Sequence, residues 1–140
     1  MNDPIAMLKR DHREAEAMLK ELAASKKPTA TRRKTTAKLV AALTLHMQIE
    51  EKLVYPLVDD YLGHDAEQEA ENEHSLARNG LGSLEDMVDE PGFGAAVAML
   101  TAGIKHHVKE EETEIFPKLK SKLERSELAE LGDAVAAAKK

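Results

Sequence analysis

The chain contains no cysteine and no tryptophan, and its aromatic residues are two Tyr and two Phe among 140. Without cysteine there are no disulfides, no zinc–thiolate sites and no cysteine-ligated iron–sulfur clusters. Without alternating apolar–polar runs bounded by hairpin turns, a β-sheet core has nothing to build on. No uncharged apolar run is long enough to span a membrane, and the opening residues MNDPIAMLKRDH hold no apolar signal segment. The expectation is a cytoplasmic protein with no membrane partner. A formal net charge of −6 argues against nucleic acid. The one basic cluster, Lys26 to Lys38, has no interleaved aromatics and reads as a solvated face. No nucleophile with a base partner, phosphate loop or nucleotide fingerprint occurs, so no catalytic residues are expected beyond the ligands of a metal.

What remains is rich in Leu, Ala and Met, which favour helices. The fold expected is all-α, as a single domain over residues 1–140. Asp3 before Pro4 predicts a helix start, and Ile5, Leu8, His12, Ala15, Leu19 and Ala23 form one stripe running to about Ala24. A second helix is expected from near Thr31 past Tyr55, with Leu39, Leu43, His46, Glu50, Leu53 and Leu57 inward, a kink near Lys52 to Pro56, and a stop at Gly63. Asp65 with Gln68 suggests a capping box for a third helix carrying Ala70, His74, Ala77, Leu81 and Val88. After the Pro91–Gly92 turn, a fourth helix from about Gly94 carries Val97, Leu100, Ile104, His107, Glu111 and Ile115, with a second kink at Pro117. Ser126 is read as the cap of a short last helix. These elements imply an antiparallel up-down-up-down four-helix bundle with a short C-terminal helix.

The sequence repeats itself. Leu43 to Pro56 carries His46, Glu50, Glu51, Tyr55 and Pro56; Ile104 to Pro117 carries His107, Glu111, Glu112, Phe116 and Pro117 in the same places. His46 and His107 are 61 residues apart, and His12 and His74 are 62 apart. Each half is thus a helix pair bearing one lone His and one H-x-x-x-E, whose members stack on one helix face. A pseudo-two-fold axis would gather His12, His46, Glu50, His74, His107 and Glu111 at the bundle centre. Unpaired burial of two carboxylates costs several kcal/mol each, roughly, and bound cations offset it. Imidazole with carboxylate suits iron, manganese or zinc and disfavours calcium. His106 and His64 are expected near solvent, and Met47 and Met99 in the core. Arg78 reads as a surface ion pair.

As an ordered set, Asp11–His12, His46-x-x-x-Glu50, Glu73–His74, His107-x-x-x-Glu111 and Phe116–Pro117 resemble the hemerythrin-like, or HHE cation-binding, domains over nearly the whole chain. The resemblance implies a non-haem di-iron centre of two iron ions (Fe2+/Fe3+), oxo- or hydroxo-bridged when oxidised. His12 and His46 would serve one iron and His74 and His107 the other, with Glu50 and Glu111 bridging. It also implies a small-molecule ligand: O2, H2O2 or NO. The oxygen-carrying hemerythrins have a further His one turn after the His74 equivalent, where this chain has Arg78. Water, Glu71 or Tyr55 could fill that place, Tyr55 only if the kink before Pro56 turns it inward.

A harder ligand set favours the ferric state, so catalase- or peroxidase-like chemistry on hydrogen peroxide, or turnover of nitric oxide, is expected ahead of oxygen carriage. The alternative is reversible O2 binding, storage or sensing without turnover. Iron-delivering repair proteins with such a domain carry a cysteine-bearing segment, and cysteine is absent here. The sequence names no electron donor.

Overall fold

The computed structural model describes residues 2–140, and no strand occurs among them. The helices are α1 (Pro4–Ala24), α2 (Ala30–Ile49), α3 (Tyr55–Leu62), α4 (His64–Met87), α5 (Phe93–Glu110), α6 (Phe116–Lys122) and α7 (Arg125–Ala138). Short π-helical segments, Glu50–Val54 and Glu111–Ile115, join α2 to α3 and α5 to α6. Four rods result: α1, α2–α3, α4 and α5–α6. They alternate in direction as an antiparallel bundle, and α7 lies against α1.

The rods begin and end where backbone chemistry directs. Asp3 Oδ1 accepts from the amides of Ile5 and Ala6 at 3.0 and 3.2 Å, ahead of Pro4 in the first turn. Thr29 Oγ1 accepts from the Arg32 amide at 3.0 Å, which starts α2. Gly63 has φ 110°, a conformation that a side chain would oppose, and lets α3 stop and α4 begin within one residue. Two expected caps are not used. Gln68 bonds to Glu67 and not to Asp65, because α4 already starts at His64. Glu124, not Ser126, caps α7: its backbone amide donates to Glu127 Oε1 at 3.0 Å in a capping box, which leaves Ser126 inside the first turn.

The π segments are the expected kinks in a specific form. Pro56 has no amide hydrogen and its ring presses on the carbonyl four residues back. The turn before it widens, so the Tyr55 amide bonds to the Glu50 carbonyl; Phe116 does the same to Glu111 ahead of Pro117. Each wide turn inserts one residue and rotates the helix beyond it by about 100°. The core positions after it therefore shift. Val54, Tyr55 and Val58 are buried, whereas Leu53 and Leu57, expected inward, are only partly so.

The interior has three layers. One apolar cluster, with Leu19, Leu39, Leu84 and Phe93, fills the end near the α1–α2 and α4–α5 turns. Another, with Leu8, Val58, Phe116, Leu119 and Val135, fills the opposite end and includes α7. Between them lies a layer of His and Glu. Three smaller expectations are corrected. Leu22, not Ala23, closes the stripe of α1. Met99 is 78% exposed and not in the core, whereas Met47 is buried. Arg32, in the basic cluster read as solvated, is buried: its guanidinium lies 4.3 Å from the Phe93 ring centroid and donates to Ser25 Oγ and to the carbonyls of Ser25 and Val88.

Candidate metal centre

His12, His46, Glu50, His74, His107 and Glu111 all reach the middle layer, and all are buried. They form two groups of four that share both carboxylates: His12, His46, Glu50 and Glu111, and His74, His107, Glu50 and Glu111. Within each group one donor atom from every residue lies within 4.8 Å of the others. His12 and His46 have ring centroids 4.9 Å apart at 63°, and His74 and His107 4.9 Å apart at 62°. The near-equal geometry is the pseudo-two-fold relation that the repeat implied.

Each imidazole is held from behind by a carboxylate on a different rod. Nδ1–H donates from His12 to Glu112 at 2.7 Å, from His46 to Asp11 at 2.8 Å, from His74 to Glu51 at 2.7 Å, and from His107 to Glu73 at 2.5 Å. This assignment of the proton to Nδ1 turns the Nε2 lone pairs inward. Three of these carboxylates have a cationic partner on their far side, and the fourth, Glu73, has the exposed His106 ring. Lys139 of α7 pairs with Asp11, Arg13 with Glu112, Arg78 with Glu51 at 2.8 Å, and His106 approaches Glu73 at 3.5 Å.

The inner atoms are under-satisfied. His12 Nε2, His46 Nε2, Glu50 Oε2 and Glu111 Oε1 are buried without a hydrogen-bond partner among the described residues. His12 Nε2 and Glu111 Oε1 stand 3.1 Å apart but not aligned as donor and acceptor. Such orphans carry a desolvation cost that coordination of a cation removes. Neutral imidazole nitrogen with carboxylate oxygen is a donor set for a first-row transition metal. The residues present fit that group.

In the metal-free protein the site compensates by protonation. Burial opposes the charged form of His46, but the Glu50, Asp11 and Glu111 carboxylates together outweigh it and raise its pKa to about 10. At His107 burial is likewise overcome, chiefly by Glu111, and the pKa rises to about 12. Burial works against the Glu50 carboxylate, but His46, His107 and His74 together override it and hold Glu50 well below the usual carboxylate range.

Tyr55 is fully buried and reaches the centre. Its hydroxyl donates to Glu111 Oε2 at 2.8 Å and lies 2.9 Å from His74 Nε2 and 3.3 Å from His107 Nε2. The wide turn at residues 50–54 supplies the rotation that this required. Burial, and then the Glu50 and Glu111 charges, push its phenol pKa well above the ordinary value, so without a cation it stays neutral. Phe116 holds the corresponding place in the other half and stacks on His12 at 6.0 Å. Glu71 belongs to neither group of four. It is partly exposed and lies near Glu51 and Glu67.

The four anchoring carboxylates had a sequence signal that the pattern of inward residues left unused. Asp11 and Glu73 immediately precede His12 and His74, and Glu51 and Glu112 immediately follow Glu50 and Glu111. Each sits about 100° around its helix from its neighbour, aimed at the adjacent rod. Arg78 is a partly exposed ion pair, as expected, but its partner is an anchor of the centre. His106 is 69% exposed and His64 72% exposed.

A helical bundle with a buried His/Glu cluster suited to binding metal ions is the class of protein defined by these observations. The family model described as Hemerythrin HHE cation binding domain matches residues 3–119, and the chain belongs to that family. It is also similar to a protein of the yeast Schizosaccharomyces pombe described as an uncharacterized hemerythrin-like protein, with 29% identity over 136 residues. That alignment covers 94% of this chain and 66% of the yeast protein. No described helix is long and apolar enough to cross a membrane.

Proposed function

We propose that the chain holds two iron ions side by side and uses them on hydrogen peroxide or nitric oxide. His12 and His46 would hold one ion, His74 and His107 the other, with Glu50 and Glu111 spanning both and Tyr55 as a further donor on the His74/His107 side. The observation that carries this reading is the position of the phenol. Where the oxygen-carrying hemerythrins have another imidazole, this chain has Arg78, and the Tyr55 hydroxyl stands 2.9 Å from His74 Nε2. An oxygen donor in place of a nitrogen donor makes the site harder and stabilises the ferric state. Reversible oxygen carriage needs a diferrous state that persists in air, so the donor set favours turnover over carriage.

Iron held by these residues would supply one-electron redox chemistry toward a small oxidant. The rest falls to the chain. Asp11, Glu51, Glu73 and Glu112 fix the imidazoles with Nε2 inward. The Tyr55 hydroxyl, hydrogen-bonded to Glu111, holds a proton at the centre that the carboxylate can accept. The apolar layers on either side exclude bulk water and strengthen the charge interactions between them.

Protein produced in iron-replete medium is expected to contain two irons per chain by elemental analysis, and to consume peroxide or nitric oxide faster than an equal amount of free iron. Stoichiometric iron with no excess consumption of either would remove the turnover reading. A reversible oxygenated spectrum after anaerobic reduction would select oxygen binding, storage or sensing instead.

A further inference from the structure

The two halves of the bundle differ beside the centre. A groove of about 680 Å³ runs between α4 and α5, with Gly80, Leu100 and Gly103 among its lining. At its inner end it meets Ala77, Ile104 and His107. The same three residues also line a small cavity of about 20 Å³ that adjoins all four central imidazoles. They are the shared wall between groove and cavity. His107 is the most exposed of the four imidazoles, at 7% against 1% to 4% for the others.

The repeat identifies why this half is open. With the 62- and 61-residue offsets of the two halves, Gly80 corresponds to Met18 and Gly103 to Ala42. Met18 packs against the apolar core; at Gly80 the Leu100 side chain comes within 2.8 Å of where a Cβ would stand, and at Gly103 that space is open.

We propose that the α4–α5 groove is the entry route to the centre, gated by Ala77 and Ile104, and that it selects neutral apolar diatomic molecules, nitric oxide or dioxygen, over peroxide and anions. This rests on the di-iron reading; of the two substrates proposed there it keeps nitric oxide and disfavours peroxide. The cavity has room for about one water-sized molecule. Apart from the imidazole edges its walls are Ala15, Leu43, Met47, Ala77, Ile104 and Val108, which offer no hydrogen bond. An anion loses its hydration there without compensation, and Glu73 at the groove repels it on approach. Peroxide is neutral, but must shed several hydrogen bonds to water. Nitric oxide and dioxygen have almost none to shed.

Gly103→Met is the plug. A Cβ at Gly103 meets nothing within 4 Å, so the side chain enters the groove without a clash, and glycine is the poorer helix former. Ala42→Met, at the corresponding place in the other half, is the control. Full-length crystals pressurised with xenon are expected to show xenon beside Ala77 and Ile104 in the native protein and the control, and not in Gly103→Met. Stopped-flow mixing of reduced, iron-loaded protein is expected to show nitric oxide association about tenfold slower or more in Gly103→Met and unchanged in Ala42→Met. In the native protein, nitric oxide should associate faster than peroxide reacts at equal concentration. Xenon retained beside Ala77 in the plugged variant, association within about twofold of native, or a faster reaction with peroxide would overturn the proposal. Iron content is measured on every sample. Native protein without iron would sink the di-iron reading, while the xenon positions still decide whether the route exists.

Discussion

Tyr55 and Phe116 hold corresponding places in the two halves, and the one oxygen atom between them is the largest chemical asymmetry of the centre. If that phenol binds ferric iron, the oxidised protein should show an intense visible band. Tyr55→Phe should abolish it while leaving the iron content intact, as metal analysis and an optical spectrum would show. The fold should tolerate the change, because Phe116 already fills the equivalent space; a lost buried hydrogen bond costs about 1 kcal/mol by thermal melting. Glu51 tests a different role. Its carboxylate holds His74 on one side and Arg78 on the other. Glu51→Ala is expected to weaken metal binding by about 10–100-fold in chelator competition, the usual effect of losing the partner of a ligating His. Arg78→Ala should do much less, since that side chain is 40% exposed and the pair is screened by solvent.

At the scale of helices, a regular period read well until the period itself changed. Periodicity placed Val97, Leu100, Ile104, His107, Glu111 and Ile115 on one face of the fourth rod, and all six are buried. It placed Leu53 and Leu57 inward on the second rod, and the wide turn at residues 50–54 replaced them with Val54 and Val58. Pro56 announced a disturbance, but proline alone does not say whether the chain bends or takes up an extra residue. The same limit applied to Arg32. Charge and spacing mark it as solvent-facing; only the approach of Phe93 and the Val88 carbonyl makes burial favourable. Arg32→Met should therefore destabilise the fold by about 2 kcal/mol or more in denaturant unfolding, through its bonds to neighbours that would be left unpaired. Lys34→Met and Lys38→Met, at exposed positions of the same cluster, should stay within about 0.5 kcal/mol.

For the molecule as a whole, the convergence of six side chains from four rods was readable because the repeat states it twice. The anchors behind them show in the sequence only as acids next to the ligands; which imidazole each one holds was not readable, since each faces a neighbouring rod whose orientation the sequence does not specify. Folding, proton binding and metal binding are linked through this layer. His46 and His107 have pKa values raised to about 10 and about 12 in the metal-free chain, against 6.5 unfolded. Their contribution to stability is complete below 6.5 and is lost as pH rises toward about 10 for His46 and about 12 for His107, so the melting temperature of the metal-free protein should fall as pH rises from 6.5. The metal-loaded protein, whose imidazoles have already given up those protons, should show no such fall. Loading at neutral pH should release about two protons per chain from these groups, measurable by calorimetry in buffers of different ionisation enthalpy.

The anchors form a closed circuit: Asp11 of the first rod grips the second, Glu51 of the second grips the third, Glu73 of the third grips the fourth, and Glu112 of the fourth grips the first. The arrangement is a hoop around staves. No stave can slacken without slackening the imidazole it carries and the one it grips, so damage at any link should spread around the circle, and the centre should empty all at once.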